Sequence, residues 1–433
     1  MLLGLPEELL CLIVQEVDGP HDHYSLIRTC RRLYAVTLPI LYSDVVLCTA
    51  VTGHCVRQVS RFFYAIAQRP QLAHAVRSLR VEVWETENTD VECAFEYDGC
   101  LVRKLVDGTS WEQQPTRQLI NGNTDAWLAL LIPQLKGLRE ISMCSPDEPH
   151  YVETMFLKAT RENDTPFPHL KEAFAEWHDT KNSLHACFME PFFSFPAMRK
   201  VGGADMLDCD CDARESRTTP FSGVTDIDLN NTNTECGFVD WIEPCKALKT
   251  FRLTIGGPLV SDGPDFIAAP LRKSLSLHKT TLEGLWICGE ALSPSEGNGG
   301  LMGSFVDFSA LKYLHISLKM LVESDRIEST HDLVSFLPPS LETLYLCYCH
   351  GQLFPWAIDQ MQSLVDSKSL TRLTLLGLEG YESSRGDYDV SLDFTLKLGA
   401  LSDRCEEAGI LFEAVLEGDS MSTSQFFSLW PCS

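Results

Sequence analysis

The chain has 433 residues, which is enough for two or three ordinary domains or for one short module followed by an elongated array. With 45% hydrophobic and 22% charged residues it reads as a soluble globular protein, and no apolar window of about 18 residues predicts a transmembrane helix. The formal net charge of −25 disfavours general binding to nucleic acids or anionic membranes, because both require dense Lys and Arg.

The 17 cysteines are scattered along the chain. An odd number of cysteines without a signal sequence predicts reduced thiols and a cytoplasmic or nuclear location. The apolar start of the chain does not predict a signal peptide, because Pro6, Glu7 and Glu8 interrupt it and no basic segment precedes it. We therefore expect a protein that is not secreted.

Residues 1–50 carry the first predicted element, a helical hairpin. A helix that starts at Pro6 places a row of apolar side chains on one side, namely Leu9, Leu10, Ile13, Val14 and Val17. Asp22 is the expected N-cap of a second helix, and Pro39 is expected to close the unit. A unit of this size is too short for a core of its own, so it is expected to dock onto something else.

Three segments of this hairpin match a known family in order: Leu5-Pro6 with Leu9 and Ile13, Ser25-Leu26-Ile27-Arg28-Thr29-Cys30-Arg31-Arg32-Leu33, and Leu38-Pro39-Ile40-Leu41-Tyr42. The stretch resembles an F-box, which implies a module that binds the Skp-type adaptor of a cullin–RING ubiquitin ligase. The resemblance assigns adaptor binding to Leu5, Pro6, Leu9, Ile13, Leu26, Cys30 and Leu33. Many F-boxes carry an aromatic residue where this chain has Leu33. The alternative is an amphipathic hairpin that packs on its own domain.

Residues 51–75 are predicted to form a helical linker or N-terminal cap, and a short pattern recurs from Val76 onward. Each copy is an apolar residue, two others, a second apolar residue, one other, and a third apolar residue. The copies begin at Val76, Val224, Leu248, Leu282, Leu311, Leu341 and Leu370. The last six begin 24, 34, 29, 30 and 29 residues apart, and weaker copies begin at Leu135, Leu170 and Met198.

Stretches with helical spacing lie between the copies, at residues 238–248, 266–277, 356–365 and 398–408. A short strand and a helix that return about every 30 residues resemble a leucine-rich repeat solenoid. The predicted fold class is therefore α/β: an all-helical F-box followed by an irregular solenoid over residues 76–416. The asparagine ladder of that family is absent. An inserted loop or hairpin is predicted at 82–123, and a polar tail at 417–433.

Each predicted strand has one residue between its second and third apolar residues. This residue faces away from the core, because side chains alternate along a strand. That position reads Arg80, Asp228, Arg252, Trp286, His315, Tyr345 and Thr374. Trp and Tyr are enriched in binding hot spots, so Arg252, Trp286, His315 and Tyr345 are candidates for a client-binding patch on an exposed sheet. Alternatively, the rings stack on one another as a stabilising ladder or lie under the C-terminal segment.

The sequence motifs typical of catalytic and metal-binding sites are absent or incomplete in this sequence. Gly-x-Ser-x-Gly, His-Glu-x-x-His and the Walker-type loop are absent, and residues 208–219 lack the glycine and the glutamate of a calcium loop. Zinc ligands are conceivable at Cys209 and Cys211 with Cys236, or at Cys347 and Cys349 with His350, but neither set has zinc-site spacing. We therefore expect no catalytic residue, no metal and no cofactor.

The combined architecture resembles the substrate receptors of SCF-type cullin–RING ubiquitin ligases. The resemblance implies that the F-box binds the adaptor, the solenoid binds a client protein, and a separate enzyme transfers ubiquitin, so the chain itself is not an enzyme. Two alternatives stay open. The first is a leucine-rich repeat scaffold that recruits no ligase, and the second is a hydrolase or metalloenzyme on a repeat scaffold.

Overall fold

The computed structural model describes residues 4–17, 19–48, 55–84, 98–100, 102–103, 114–146, 149–161, 166–179, 181–208, 219–256, 266–289, 301–322, 332–350, 353–381 and 392–416. The predicted tail, most of the predicted insertion, Cys209 and Cys211 lie outside these residues. The chain forms two compact units. The first comprises Met1–Asp179 and Phe188–Gly203, and the second comprises Thr180–Cys187 and Ala204–Ser433.

Short strands alternate with helices along the described chain. The strands are β1 Asp44–Leu47, β2 Ser78–Val81, β3 Glu140–Ser145, β4 Glu172–Trp177, β5 Leu184–His185, β6 Lys200–Ala204, β7 Met206–Leu207, β8 Asp226–Thr232, β9 Thr250–Ile255, β10 Gly284–Gly289, β11 Tyr313–Ser317, β12 Thr343–His350, β13 Leu375–Tyr381 and β14 Leu411–Leu416. The α-helices are α1 Glu7–Gln15, α2 Pro20–Ile27, α3 Arg31–Leu41, α4 Cys55–Gln68, α5 Pro70–Ala75, α6 Gln114–Ile120, α7 Thr124–Leu131, α8 His150–Ala159, α9 Val239–Ile242, α10 Ala268–Leu275, α11 Leu353–Ser367 and α12 Leu392–Ala408.

The N-terminal segment forms three helices, α1 to α3, rather than the predicted two. Gly19 precedes α2 with φ +83°, a left-handed value that favours glycine, so Asp22 lies in the first turn and is not the N-cap. Pro39 lies inside α3 and does not close the unit. The third helix was not predicted because the break between α2 and α3, at residues 28–30, contains neither glycine nor proline, and because Pro39 was taken as the end of a helix.

The first unit contains a parallel sheet and a helix that is buried on all sides. Strands β1, β2, β3 and β4 pair in parallel in chain order, and β6 lies beside β4. All eight residues of α7 are buried. Within it, the Trp127 ring packs edge-on against Phe63 and Tyr64, with centroids 5.5 and 5.9 Å away, and its Nε1–H donates to the carbonyl of Leu119.

Asp125 of α7 caps the next helix from a distance in sequence. Its carboxylate accepts the backbone N–H groups of Tyr151 at 2.6 Å and Val152 at 3.3 Å, which open α8, and Nε1–H of Trp84 at 3.4 Å. Burial raises the pKa of Asp125 to about 6, although these hydrogen bonds oppose the shift. The carboxyl group therefore binds its proton more tightly in the folded chain than in the unfolded chain.

We expect this titration to make the protein less stable as the pH rises. The contribution of a raised pKa is fully present below the unfolded value of 3.8 and is lost as the pH passes about 6, a change of about 3 kcal/mol. Urea unfolding of the wild type and of Asp125→Asn, at pH 4 and pH 7.5, measures it. The advantage of the wild type over the variant should shrink at the higher pH. A pH-independent difference would contradict the assignment.

The second unit contains a parallel sheet in which β8 to β14 pair in chain order. Each strand turns alternate apolar side chains toward the core, and those of β9 to β11 are almost completely buried: Phe251, Leu253, Leu285, Ile287, Leu314 and Ile316. One strand per repeat, joined by helical segments, confirms the predicted α/β repeat fold. A separate pair of short strands, β5 and β7, also lies in this unit.

The structure corrects the register of two repeat copies. Gly377, and not Thr374, stands opposite Tyr345. In the first unit Ile141 pairs with Leu79, so that copy begins at Leu138 rather than at Leu135. In both places apolar residues recur at three-residue spacing more than once, so the pattern fits one step too early. Strands β1, β5, β7 and β14 were not predicted.

Two general expectations can be compared with the described residues. None of the helices that the structure describes has the length and apolar character needed to cross a membrane. Cys236 is disulfide-bonded, so the prediction of reduced thiols is wrong at that position, whereas Cys288, Cys347 and Cys349 are reduced.

Candidate functional site

The predicted adaptor-binding residues divide into an exposed and a buried group. Leu10, Val14 and Val36 form the core of the three N-terminal helices, while Leu9 and Ile13 are 46% and 42% exposed. The predicted single apolar row on α1 is therefore two rows with different environments. Leu12, which the sequence argument left out, is 57% exposed and extends the exposed row. We call Leu9, Leu12 and Ile13 the α1 apolar row.

The remaining adaptor candidates do not all face outward. Pro6 is exposed, whereas Leu5 and Leu26 pack against the helical core. Cys30 is the N-cap of α3, where its sulfur accepts the backbone N–H of Leu33 at 3.5 Å. Leu33 is 7% exposed, so it packs within its own unit instead of presenting its side chain to a partner.

The row of residues predicted along the repeats is in register in the second unit. Trp286 pairs with Arg252 on one side and with His315 on the other, and His315 pairs with Tyr345. The same row continues at both ends, through Asp228 before Arg252, and through Gly377 and Glu413 after Tyr345. The prediction that these rings share one row is confirmed.

The three rings form a continuous stack, which we call the ring ladder (Trp286, His315 and Tyr345). The centroids of Trp286 and His315 are 3.6 Å apart with planes inclined by 13°, and those of His315 and Tyr345 are 4.4 Å apart with planes inclined by 18°. The three residues are only 3%, 6% and 5% exposed. The expectation of exposed rings is therefore wrong, and the alternative that the rings stack on one another is confirmed. Strands about 4.8 Å apart hold flat side chains close to stacking distance, so each ring covers its neighbour.

Different groups flank the ring ladder at its two ends. At one end the Arg252 guanidinium lies 4.9 Å from the centroid of Trp286, and its Nη1 lies 3.8 Å from Oδ1 of Asp228. Arg252 is thus held between a carboxylate and an indole. At the other end, Tyr345 lies over Gly377, where a side chain would occupy the space of the ring.

We expect Gly377→Ala to destabilise the protein by about 1–3 kcal/mol. A Cβ atom at Gly377 would overlap Cδ2 of Tyr345, and this ring cannot retreat because His315 stacks on its other face. Gly399→Ala is the matched control, since nothing lies within 4 Å of its added Cβ and it sits inside α12. The control should gain about 1 kcal/mol from helix propensity. Urea unfolding curves that coincide for the two variants would contradict this reading.

A second row of polar side chains lies two residues further along the same strands, on the same sheet face. Ser317 pairs with Cys347, and Cys288 follows Ile287, which pairs with Ile316. The sulfur atoms of Cys288 and Cys347 and a ring nitrogen of His315 all lie within 4.8 Å of one another. We call these three residues the thiol–imidazole cluster. It is the one grouping within the described ranges with the ligand types and spacing of a metal site.

The surroundings shift the proton affinities of this cluster. Hydrogen bonding from Cys347 holds the pKa of Cys288 well below the ordinary value of a thiol, and Nε1–H of Trp286 also donates to Cys288 Sγ at 3.0 Å. Burial raises the pKa of Cys347 and lowers the pKa of His315, so the imidazole stays neutral. The cluster therefore combines three groups: a sulfur whose thiolate form is stabilised (Cys288), a protonated thiol (Cys347) and a neutral imidazole nitrogen (His315).

Sequence reasoning missed the cluster because its members are far apart in the chain and fit no short motif. It grouped Cys347 with Cys349, but the Cys349 thiol lies 3.8 Å from the carbonyls of Leu346 and Cys347, within hydrogen-bonding range. A usable signal was present. Cys288 and Cys347 follow Trp286 and Tyr345 by two residues each, so side-chain alternation alone places them on the face of the ring ladder.

Comparison with known proteins bears on the repeats. The sequence model of a leucine-rich repeat domain matches residues 158–375, about half of the chain. The matched range contains the complete ring ladder and the thiol–imidazole cluster. No curated protein is detectably similar to the chain.

Proposed function

The chain belongs to the leucine-rich repeat family, and from this premise we propose that it is the substrate-recognition subunit of an SCF-type cullin–RING ubiquitin ligase. Leucine-rich repeat arrays are protein-interaction modules that offer extended binding surfaces. In the proposed role the N-terminal helices bind a Skp-type adaptor and the repeats bind a client protein. The chain then works in the cytosol or nucleus.

The observation that carries the proposal is the α1 apolar row. Leu9, Leu12 and Ile13 expose large apolar side chains on a helix whose opposite side is buried in the core of the unit. Apolar helix faces of this kind dock into complementary hydrophobic surfaces of partner proteins. Pro6 is exposed at the start of the same helix, so the proposed contact surface includes it. Leu5, Leu26, Cys30 and Leu33 would act indirectly, by fixing the positions of the three helices.

The proposed mechanism requires no catalytic residue in this chain. A receptor that holds a client beside a ubiquitin-charged enzyme raises their effective concentration, and the enzyme performs the transfer. Its contribution is therefore two binding surfaces on one polypeptide.

Co-purification with a Skp-type adaptor tests the ligase assignment. The double variant Leu9→Asp and Ile13→Asp should bind the adaptor at least about 100-fold more weakly, because two hot-spot contacts are lost. Leu157→Asp is the matched control, since Leu157 lies on α8 and is 42% exposed, as Ile13 is. Full binding by the double variant would refute the contact surface. If the intact chain bound no adaptor, the ligase role would be wrong. The result would then favour the alternative of a leucine-rich repeat scaffold that recruits no ligase.

For the client we propose the sheet face of the second unit that carries the ring ladder. The rings act there as a rigid support, and Arg252, which is partly exposed, supplies a charged contact. Arg252→Ala should reduce capture of the client while adaptor binding is unchanged. Arg372→Ala, at an exposed position before β13, is the control. Equal client capture by both variants would place the client elsewhere.

A further inference from the structure

We propose that Cys288, His315 and Cys347 form a zinc site that joins three consecutive strands, β10, β11 and β12. The proposal goes beyond the protein-interaction role, which needs no metal. Cys288 lies on β10, His315 on β11 and Cys347 on β12, one ligand from each strand. A bound ion would therefore link residues that are far apart in sequence but adjacent in the sheet.

The identities of the three ligands select a borderline-soft metal ion. Thiolate and imidazole ligands favour Zn²⁺, whereas Mg²⁺ and Ca²⁺ require oxygen ligands. With Zn–S bonds of about 2.3 Å and Zn–N bonds of about 2.0 Å, tetrahedral ligands stand roughly 3.5–3.8 Å apart. The ligand atoms here lie within 4.8 Å of one another, so only small side-chain adjustments are needed.

The charge balance of the site also fits a divalent ion. Two thiolates and a neutral imidazole carry two negative charges, which Zn²⁺ neutralises, so the loaded site adds no net charge to a buried region. The ion displaces the remaining thiol protons to solvent. Zinc binding should therefore tighten as the pH rises.

Groups around the cluster hold the ligands in place. His315 is fixed between the rings of Trp286 and Tyr345, and Nε1–H of Trp286 donates to Cys288 Sγ, as outer-shell donors do at zinc sites. Ser317 is fully buried beside Cys347, and its hydroxyl has no hydrogen-bond partner among the described residues. A buried hydroxyl without a partner is costly, so its presence in the same row points to a further group at this site.

The fourth position of a tetrahedral ion falls to a water molecule, which leaves the loaded site without net charge. Glu379 on the neighbouring strand β13 follows Leu378, which pairs with Leu346, but the pairing of β12 with β13 shifts register after Leu346, so Glu379 does not continue the row of Ser317 and Cys347.

Metal titration of the full-length chain tests the proposal. We expect one Zn²⁺ per chain, and one Co²⁺ with the thiolate charge-transfer and d–d absorption of a tetrahedral site. Cys288→Ser and Cys347→Ser should each weaken the affinity by more than about 100-fold, the upper range for loss of outer-shell partners alone. Cys349→Ser is the matched control, because Cys349 is equally buried, two residues away, and outside the cluster.

A second measurement uses the wild-type protein alone, so its result does not depend on whether the variants fold. Zinc should protect Cys288 and Cys347 from alkylation, read by peptide mass spectrometry, while exposed Cys100 reacts equally with and without metal. Removal of zinc by a chelator should lower the melting temperature of the wild type and of Cys349→Ser. The proposal is overturned if the reduced wild type binds no zinc, if both cluster variants bind it as tightly as the wild type, or if zinc leaves the two thiols unprotected.

Discussion

Trp286→Ala is expected to lower the free energy of unfolding by about 3–5 kcal/mol, which is the usual cost of removing a buried tryptophan. The indole is 3% exposed and is stacked between the Arg252 guanidinium and the His315 ring. Its loss removes two stacking contacts and the hydrogen bond to Cys288 Sγ, and leaves a cavity in the centre of the row. Urea unfolding followed by far-UV circular dichroism measures the change.

Trp286→Phe is the control for this variant, because it keeps a flat ring between Arg252 and His315 and loses only the hydrogen bond and part of the area. It should cost less than half as much as the alanine variant. A loss below about 1 kcal/mol for Trp286→Ala would show that the ring ladder contributes little to stability. The stability of these variants must also be known before their client binding is interpreted. A partly unfolded variant would lose the client even if Trp286 did not contact it.

Leu10→Asp is expected to unfold the three N-terminal helices, with a cost of about 3–5 kcal/mol. Leu10 is 0% exposed and contacts the core formed with Val14 and Val36. Aspartate would forfeit the apolar burial and place a carboxylate among apolar neighbours without a partner. Hydrogen exchange of the amides in α1, α2 and α3, read by mass spectrometry, should show loss of protection there.

Leu9→Asp is the matched control for Leu10→Asp, because the two residues are adjacent on α1 and differ in burial, at 46% and 0% exposed. The Leu9 variant should keep its amide protection and lose adaptor affinity, whereas the Leu10 variant should lose both. If both variants kept their protection, the core of the three helices would be assigned to the wrong side of α1.

The repeat pattern of the sequence predicted most of the fold and part of the candidate site. Side-chain alternation and the spacing of the copies placed Trp286, His315 and Tyr345 in one row, and the structure confirms it. The sequence allowed both exposed rings and stacked rings and could not decide between them, because the exposure of a side chain depends on the side chains that the neighbouring strands place beside it. An aromatic residue has a different environment between two other rings than it has between two small residues.

Other features escaped prediction for a different physical reason. Gly377 was missed because apolar residues at three-residue spacing allow two registers, and only pairing with β12 selects one of them. The division of α1 into an exposed and a buried row was missed because periodicity indicates an apolar side without its limits. The thiol–imidazole cluster was missed because its ligands are brought together by strand pairing and not by local spacing.

The parallel pairing of β8 to β14 has a consequence for how the second unit folds. Along the row from Asp228 to Glu413, successive partners are 24, 34, 29, 30, 32 and 36 residues apart in sequence. Each added strand thus closes a loop of nearly constant length, and the entropy of loop closure grows only slowly with length. Folding can therefore start at any repeat and propagate to its neighbours. The order in which the strands join the sheet is therefore not fixed by their order in the sequence.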